Sequence, residues 1–151
     1  MDDDLLKKTI NYRLHDEGIA YYTVYTSTPF DHRTLLGDVA LQARNANRGV
    51  WELDMTTEFT LENQDSIGPD GQLILPKLFR RCTDYLKDVD KGGFQGNLAD
   101  WLIWVSKGSR NENDHVIIKG DIEVRLSDLI DQRNNKIVFK ADLLDIMFVE
   151  K

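Results

Sequence analysis

The sequence predicts a single α+β domain in which two main helices pack on an antiparallel or mixed β-sheet. Its length of 151 residues suits one domain. Apolar residues recur at helical spacing in two segments and alternate with polar residues in several others. Turn-forming residues separate these segments, and no linker divides the chain. We therefore expect residues 1–151 to fold around one core.

Two segments have the periodicity of amphipathic helices. From Asp2 to Glu17, leucine and isoleucine recur at every fourth position, and Gly18 is suited to end the helix in a left-handed conformation. From Leu75 to Val89, apolar residues recur at spacings of three and four, and Pro76 is suited to the first turn. These segments are the two main helices of the predicted fold.

Three segments in the first half of the chain have the pattern of strands. Ile19 to Thr26 is rich in Tyr, Thr and Val, and Leu35 to Arg44 alternates loosely before a turn at residues 45–49. The clearest segment is Trp51 to Glu62, where most odd positions are apolar and the even positions are acidic residues or threonine. This alternation predicts a strand with one buried and one exposed face.

The second half of the chain is also expected to be rich in strands. Trp101 to Val105 is a short apolar run, and Val116 to Leu126 alternates between apolar and charged residues. A turn is expected from Asp131 to Asn135. In the last predicted strand, Ile137 to Phe148, the apolar positions change parity near Leu143. A bulge, or a strand buried on both faces, would explain the change.

Charge and composition exclude several classes of protein. The chain has 19 Lys and Arg against 26 Asp and Glu, a net charge of −7. Nucleic-acid binding is therefore not expected, because it needs clustered positive charge. A membrane span is not expected either, since no apolar run approaches ~18 residues. The acidic N-terminus differs from the basic start of a secretory signal, so we expect a cytoplasmic protein at synthesis.

The residues that commonly carry chemistry do not form a recognisable motif. His15, His32 and His115 lack the spacing of metal ligands, and no cofactor is expected. Cys82 is in phase with the apolar face of the second predicted helix, which indicates a buried side chain. The glycine-containing segment 92–96 lacks the Lys and Ser or Thr of a nucleotide-binding loop. We therefore expect no catalytic centre.

One enzymatic alternative stays open. Asp121 and Glu123 place two carboxylates on the same face of a predicted strand, as in metal-dependent nucleases. Arg125 stands at the next position of that face, where such nucleases use Lys. Pairing between opposite charges on an exposed face explains the pattern as well.

An acidic surface strip is predicted along the strand from Trp51 to Glu62. Residues 51–100 hold ten acidic and five basic residues, so this third carries −5 of the net charge. The strip is an exposed sheet face, or a surface that repels DNA or binds a basic partner. A cytosolic binding or immunity module is therefore a further alternative. The strip comprises Glu52, Asp54, Glu58 and Glu62.

The order of predicted elements, and the segment from Tyr21 to Leu86 most of all, resembles the phage tail-terminator and tail-completion proteins. Within it, a proline-containing loop precedes a leucine-glycine-acidic segment and a long strand that leads into the second helix. The end of the chain is similar to that family's closing strand. The residues that carry the resemblance are 24–30, Leu35 to Val39, Arg48 to Phe59 and Lys140 to Glu150.

The resemblance implies a non-enzymatic subunit that forms an oligomeric ring at the tail-tube end or the head–tail junction. Its partners would be copies of itself, the tail-tube protein and the head–tail connector, in a virion or tail-like particle. The segments Lys91 to Asp100 and Trp101 to Trp104 have no counterpart in the family.

The glycine-containing segment from Lys91 to Asp100 is the candidate interface of such a ring. It is long, it can adapt to a neighbour, and Phe94 is an apolar anchor. The acidic strip would repel itself across a two-fold axis, whereas a head-to-tail ring pairs it with a different surface. The candidate interface residues are Lys91, Phe94, Gln95 and Asn97.

Overall fold

The computed structural model describes residues 3–150 and confirms the α+β class. Its α-helices are α1 (Asp3–Leu6), α2 (Ile10–Asp16), α3 (Phe30–Asn45), α4 (Val50–Leu53), α5 (Pro76–Asp90) and α6 (Leu98–Ser106). Its strands are β1 (Glu58–Thr60), β2 (His115–Ile118), β3 (Ile122–Arg125), β4 (Ile130–Arg133), β5 (Lys136–Phe139) and β6 (Ile146–Phe148). Short 3₁₀ helices lie at Gln64–Ser66 and Leu126–Leu129.

The strands form two small antiparallel sheets where the sequence predicted one. The strand order is β1-β5-β4 in the first sheet and β3-β2-β6 in the second. Phe59 lies opposite Ile137 in the first, and Val116 lies opposite Phe148 in the second. All four side chains belong to one hydrophobic core, to which helices α3, α5 and α6 also contribute buried side chains.

Helix α5 confirms the second predicted helix. Pro76 occupies its first turn, and the buried side chains Leu78, Cys82, Tyr85 and Leu86 follow the predicted spacing. This helix could be predicted because apolar residues recur regularly along one of its faces over nearly four turns.

The first predicted helix is interrupted. Thr9 lies between α1 and α2 and is the N-cap of α2. Its hydroxyl donates a hydrogen bond to the Leu6 carbonyl at 2.7 Å and accepts one from the Tyr12 amide at 3.2 Å. Gly18 lies in the left-handed region, with φ of +70°, beyond the end of α2 as predicted. A Cβ there would lie 2.2 Å from the Arg48 carbonyl oxygen, so the close approach requires glycine. Asp2 lies outside the described residues.

The predicted strand from Leu35 to Arg44 is wrong, because these residues lie in α3. Leu36, Val39, Ala40 and Ala43 are buried at positions i, i+3, i+4 and i+7, a helical face that the loose alternation concealed. The strand predicted from Ile19 to Thr26 is wrong as well, because this segment pairs only through an isolated parallel bridge between Tyr25 and Phe148 of β6.

Two other strand assignments need correction. Trp51 lies in α4, so only Glu58–Thr60 of the strand predicted from Trp51 to Glu62 is a strand, and Leu53 and Met55 are exposed. Trp101 to Val105 lies in α6.

The C-terminal pattern is resolved into hairpins. The alternation from Val116 to Leu126 covers β2 and β3, joined by a turn at residues 119–121. The turn predicted from Asp131 to Asn135 is confined to its last two residues, because the preceding ones pair in β4. The last predicted strand is two strands of different sheets, β5 and β6. The change of parity therefore reflects a crossing between sheets, not a bulge.

Candidate interaction surface

The described chain contains no constellation suited to metal binding. Within residues 3–150, no group of three or more His, Cys, Asp or Glu side chains could hold an ion. Asp121 is exposed in the turn before β3, and Glu123 is exposed on β3, 3.3 Å from His115 Nδ1 on the neighbouring strand. The two carboxylates thus lie on an open sheet edge.

The remaining histidines and the cysteine are dispersed. His15 is buried in α2 with Nδ1 2.7 Å from the Asn11 carbonyl oxygen, and His32 lies on α3. Cys82 is fully buried in the core, and burial raises the pKa of its thiol. A thiol in this environment is a weak nucleophile.

The acidic strip does not follow one strand. Glu52 lies on α4, Glu58 on β1 and Glu62 in the following loop, all three exposed. Asp54 instead turns toward the body of the protein, where it accepts hydrogen bonds from the Tyr21 hydroxyl at 2.8 Å and from the Thr56 amide at 3.1 Å. Burial raises the pKa of Tyr21, and the hydrogen bond to Asp54 and the charge of that carboxylate raise it further.

The predicted interface segment is anchored at both ends. The Lys91 amide donates to the Lys87 carbonyl at the end of α5, and the Asn97 side chain accepts from the Asp100 amide at 2.9 Å, which caps α6. Gln95 is exposed between them.

Phe94 lies over the outer side of α6. Its ring packs against Trp104 at a centroid distance of 5.2 Å and against Tyr85 at 6.5 Å. Trp104 and its neighbour Ile103 keep 47% and 42% of their surface exposed. We call Phe94, Ile103 and Trp104 the aromatic surface. Sequence analysis identified Phe94 but missed Trp104, because a strand was expected there.

A polar network supports this surface from beneath. The Trp101 indole donates to Asp88 Oδ2 at 2.8 Å, and Arg110 donates to the same oxygen at 2.7 Å while lying over the Trp101 ring. Burial alone would raise the pKa of Asp88, but these hydrogen bonds outweigh it and the pKa lies below its usual value. Helix α6 is therefore fixed to α5 through Trp101.

A cationic face, which sequence analysis also missed, lies on α5. Asp114 is 2% exposed and receives Lys77 Nζ at 3.4 Å and Arg81 Nε at 3.0 Å. Arg80 and Lys87 are exposed beside them and line the same depression as Tyr25. Lys77, Arg80 and Arg81 are close together in the sequence, but the net charge of −7 directed attention to the acidic residues instead. The cationic face comprises the exposed Arg80 and Lys87, because Lys77 and Arg81 are paired with the buried Asp114; Asp84 lines the same depression.

A cleft of about 460 Å³ separates α3 from the segment that ends in β6. Phe30 and Leu41 contribute apolar side chains from α3, and Met147 contributes one from β6. Arg33 and Lys119 line it as cations. Its lining residues are far apart in the sequence and do not form a sequence motif from which the cleft could be predicted.

Within residues 3–150, no helix is long and apolar enough to cross a bilayer. No protein-family model, curated protein or solved structure matches the chain.

Proposed function

We propose that this chain is a non-enzymatic structural subunit that assembles with copies of itself through the aromatic surface. The particular form suggested by the resemblance to tail-terminator proteins is a ring that closes the tube of a phage tail or tail-like particle at the head–tail junction. The observation that supports assembly is the pattern of α6, which is apolar on two sides but covered on only one.

The inner side of α6 is a normal core face. Leu98, Trp101, Leu102 and Val105 are buried there. Ile103 and Trp104 lie outside this buried face, together with the exposed Asp100, and both are close to half exposed. Among the described residues, the ring packed against Trp104 is that of Phe94. Aromatic residues such as tryptophan and phenylalanine are enriched at the centres of protein interfaces.

The charge distribution favours a head-to-tail contact. Glu52, Glu58 and Glu62 are exposed, with Glu58 3.6 Å from Lys136, whereas the cationic face lies on α5. An isologous contact through the acidic region would bring like charges together, but a heterologous contact can pair opposite charges and close into a ring. The tail-tube protein and the head–tail connector are the further partners of this proposal.

The test is light scattering of the purified chain over a range of concentrations, alone and with tail-tube protein. We expect the wild-type mass to exceed that of the 17.4 kDa monomer as concentration rises. Trp104→Glu should stay monomeric, because it places a charge in the apolar contact. The matched control is Ile10→Glu, a change at an isoleucine that is 75% exposed in α2, and it should assemble like wild type.

Two results would contradict the proposal. The first is a wild-type chain that stays monomeric at every concentration and is not retained on tail tubes; an acidic binding module would then be the better account. The second is an oligomer that Trp104→Glu leaves intact, which would exclude the aromatic surface as the contact.

A further inference from the structure

The guanidinium of Arg33 is unusual among the arginines of this protein. Three arginines are half-buried: Arg44 is paired with Asp142 at 2.6 Å and Arg81 with Asp114 at 3.0 Å. For Arg33, no carboxylate of the described residues lies within 4 Å. Half-buried arginine is normally paired, because burial without an anion costs solvation energy. The position therefore has an unmet requirement for an anion.

The hydrogen bonds of Arg33 are also incomplete. Its Nε is covered and has no acceptor among the described residues. One terminal nitrogen lies 2.7 Å from Met147 Sδ, and thioether sulfur is a weak acceptor. The guanidinium also lies 5.6 Å from the centre of the Phe30 ring. These neighbours hold the side chain in place at the wall of the cleft without neutralising it.

The cleft around Arg33 has the size and lining of a small-molecule site. Its volume of about 460 Å³ falls within the range of ligand pockets. Apolar side chains form much of its wall, and Gly37 contributes no side chain to fill it. The apolar lining residues are Val24, Phe30, Leu41, Leu144, Ile146 and Met147.

The other charges of the cleft leave a positive position at Arg33. Asp142 is engaged by Arg44, and Asp38 and Asp145 are exposed, where water screens their charge. Lys119 also lines the cleft, from the turn between β2 and β3, where it is exposed and its charge acts on Asp142. A half-buried cation is screened less than the exposed acids, so the cleft favours an anion near Arg33.

We infer that the cleft between α3 and β6 binds a small organic oxyanion, a carboxylate or phosphate ester that carries an aromatic or branched apolar group. Arg33 holds the oxyanion through its guanidinium, Lys119 adds positive charge, and the apolar group packs on Phe30, Leu41 and Met147. The cleft does not include the aromatic surface on α6, so this inference does not depend on the proposed assembly.

The experiment is titration of the ¹⁵N-labelled full chain with three probes, followed by amide chemical shifts. The probes are 3-phenylpropionate, phenyl phosphate and the neutral 3-phenyl-1-propanol. We expect at least one anion to cause saturable shifts at residues of the cleft, with the stronger anion identifying the preferred oxyanion. The alcohol should bind much more weakly, because it cannot form a charge-assisted hydrogen bond with Arg33.

The variants isolate the guanidinium. Arg33→Gln should lower the affinity for the tighter-binding anion by about tenfold or more, because a hydrogen bond to a charged group contributes at least the corresponding free energy of about 1.4 kcal/mol. Arg133→Gln, at an exposed arginine on β4 outside the cleft, is the matched control and should bind like wild type. If Arg33→Gln does not give the spectrum of a folded protein, Lys119→Gln takes its place, with a smaller expected loss.

The inference is overturned by any of three results: no saturable shift with either anion, equal affinity for the alcohol, or unchanged anion affinity in a folded Arg33→Gln variant.

Discussion

Asp114 lies almost completely buried between two cations of α5. Arg81 donates to it through two nitrogens, Nε at 3.0 Å and a terminal nitrogen at 3.1 Å, and Lys77 lies 3.4 Å away. The Lys77 ammonium is enclosed by the rings of Tyr25 and Phe148, at 5.1 and 5.0 Å. A charge buried in this way is tolerated only while its partner is present.

Replacing Asp114 by Asn should therefore destabilise the protein strongly. We expect a loss of about 3–5 kcal/mol in the free energy of unfolding, because two cations stay buried without a carboxylate. The matched control is Asp131→Asn, which breaks an exposed pair with Lys140 and should cost about 1 kcal/mol or less. Urea denaturation measures both. Similar losses at the two positions would show that the buried cluster has no special role.

The single-residue scale also shows why the candidate site was only partly predictable. Phe94 was identified because an aromatic residue in a glycine-containing segment is conspicuous in the sequence. Arg33 was not, because its environment is formed by Met147, 114 residues away. A half-buried charge without a partner is a property of the folded chain and has no local sequence signal.

At the scale of elements, α5 could be predicted and α6 could not. In α5 the apolar and polar positions separate cleanly on the helix surface. In α6, by contrast, four of the nine residues are Trp, Ile or Val, and these residue types favour strands. Two features override that preference: Asn97 caps the first turn, and the apolar side chains at i, i+3, i+4 and i+7 are buried together.

The same reasoning explains α3. Gly37 and the β-branched Thr34 and Val39 lower its helix propensity, so the local signal was weak. Packing against the core stabilises the helix instead. Strands β1, β5 and β6 are three or four residues long, too short for alternation alone to place their ends.

One ion pair joins α3 to the segment between β5 and β6. Arg44 donates to Asp142 at 2.6 Å, and the Leu144 amide donates to the same carboxylate oxygen at 2.9 Å. Burial alone would raise the pKa of Asp142, but these hydrogen bonds outweigh it, and the pKa lies below its ordinary value of 3.8. The carboxylate is therefore preferred in its charged form in the folded protein.

This lowered pKa predicts a dependence of stability on pH. A group whose pKa is lower in the folded state stabilises the protein above its unfolded pKa, and the stabilisation is lost as pH falls through the folded pKa. Wild type should therefore exceed Arg44→Gln in stability at neutral pH, and the difference should shrink below about pH 4. Urea denaturation at several pH values measures it.

The control for this prediction is Arg133→Gln, at an exposed arginine on β4. Its stability relative to wild type should not vary with pH over the same range. A constant difference between wild type and Arg44→Gln down to the most acid pH would instead assign the effect of Arg44 to packing.

At the scale of the whole molecule, Cys82 reports on the integrity of the core. It is fully buried in α5, and desolvation raises the pKa of its thiol. We expect a disulfide reagent to modify it only when the core opens, so urea should accelerate the reaction in parallel with unfolding. A second thiol introduced by Ser109→Cys, at an exposed position, should react at once. Rapid modification of Cys82 in the native protein would show that this part of the core opens locally.

The contact between Tyr25 and Phe148 has a consequence for synthesis. Residue 25 forms a parallel bridge with Phe148, which is 1% exposed, and the Thr26 amide donates to the Phe148 carbonyl at 2.9 Å. During translation, the segment around Tyr25 leaves the ribosome long before the strand that covers it. Until β6 emerges, β2 and the segment around Tyr25 lack their pairing partner, and the nascent chain exposes a surface on which chaperones can act. The core therefore closes at this contact only after β6 has emerged.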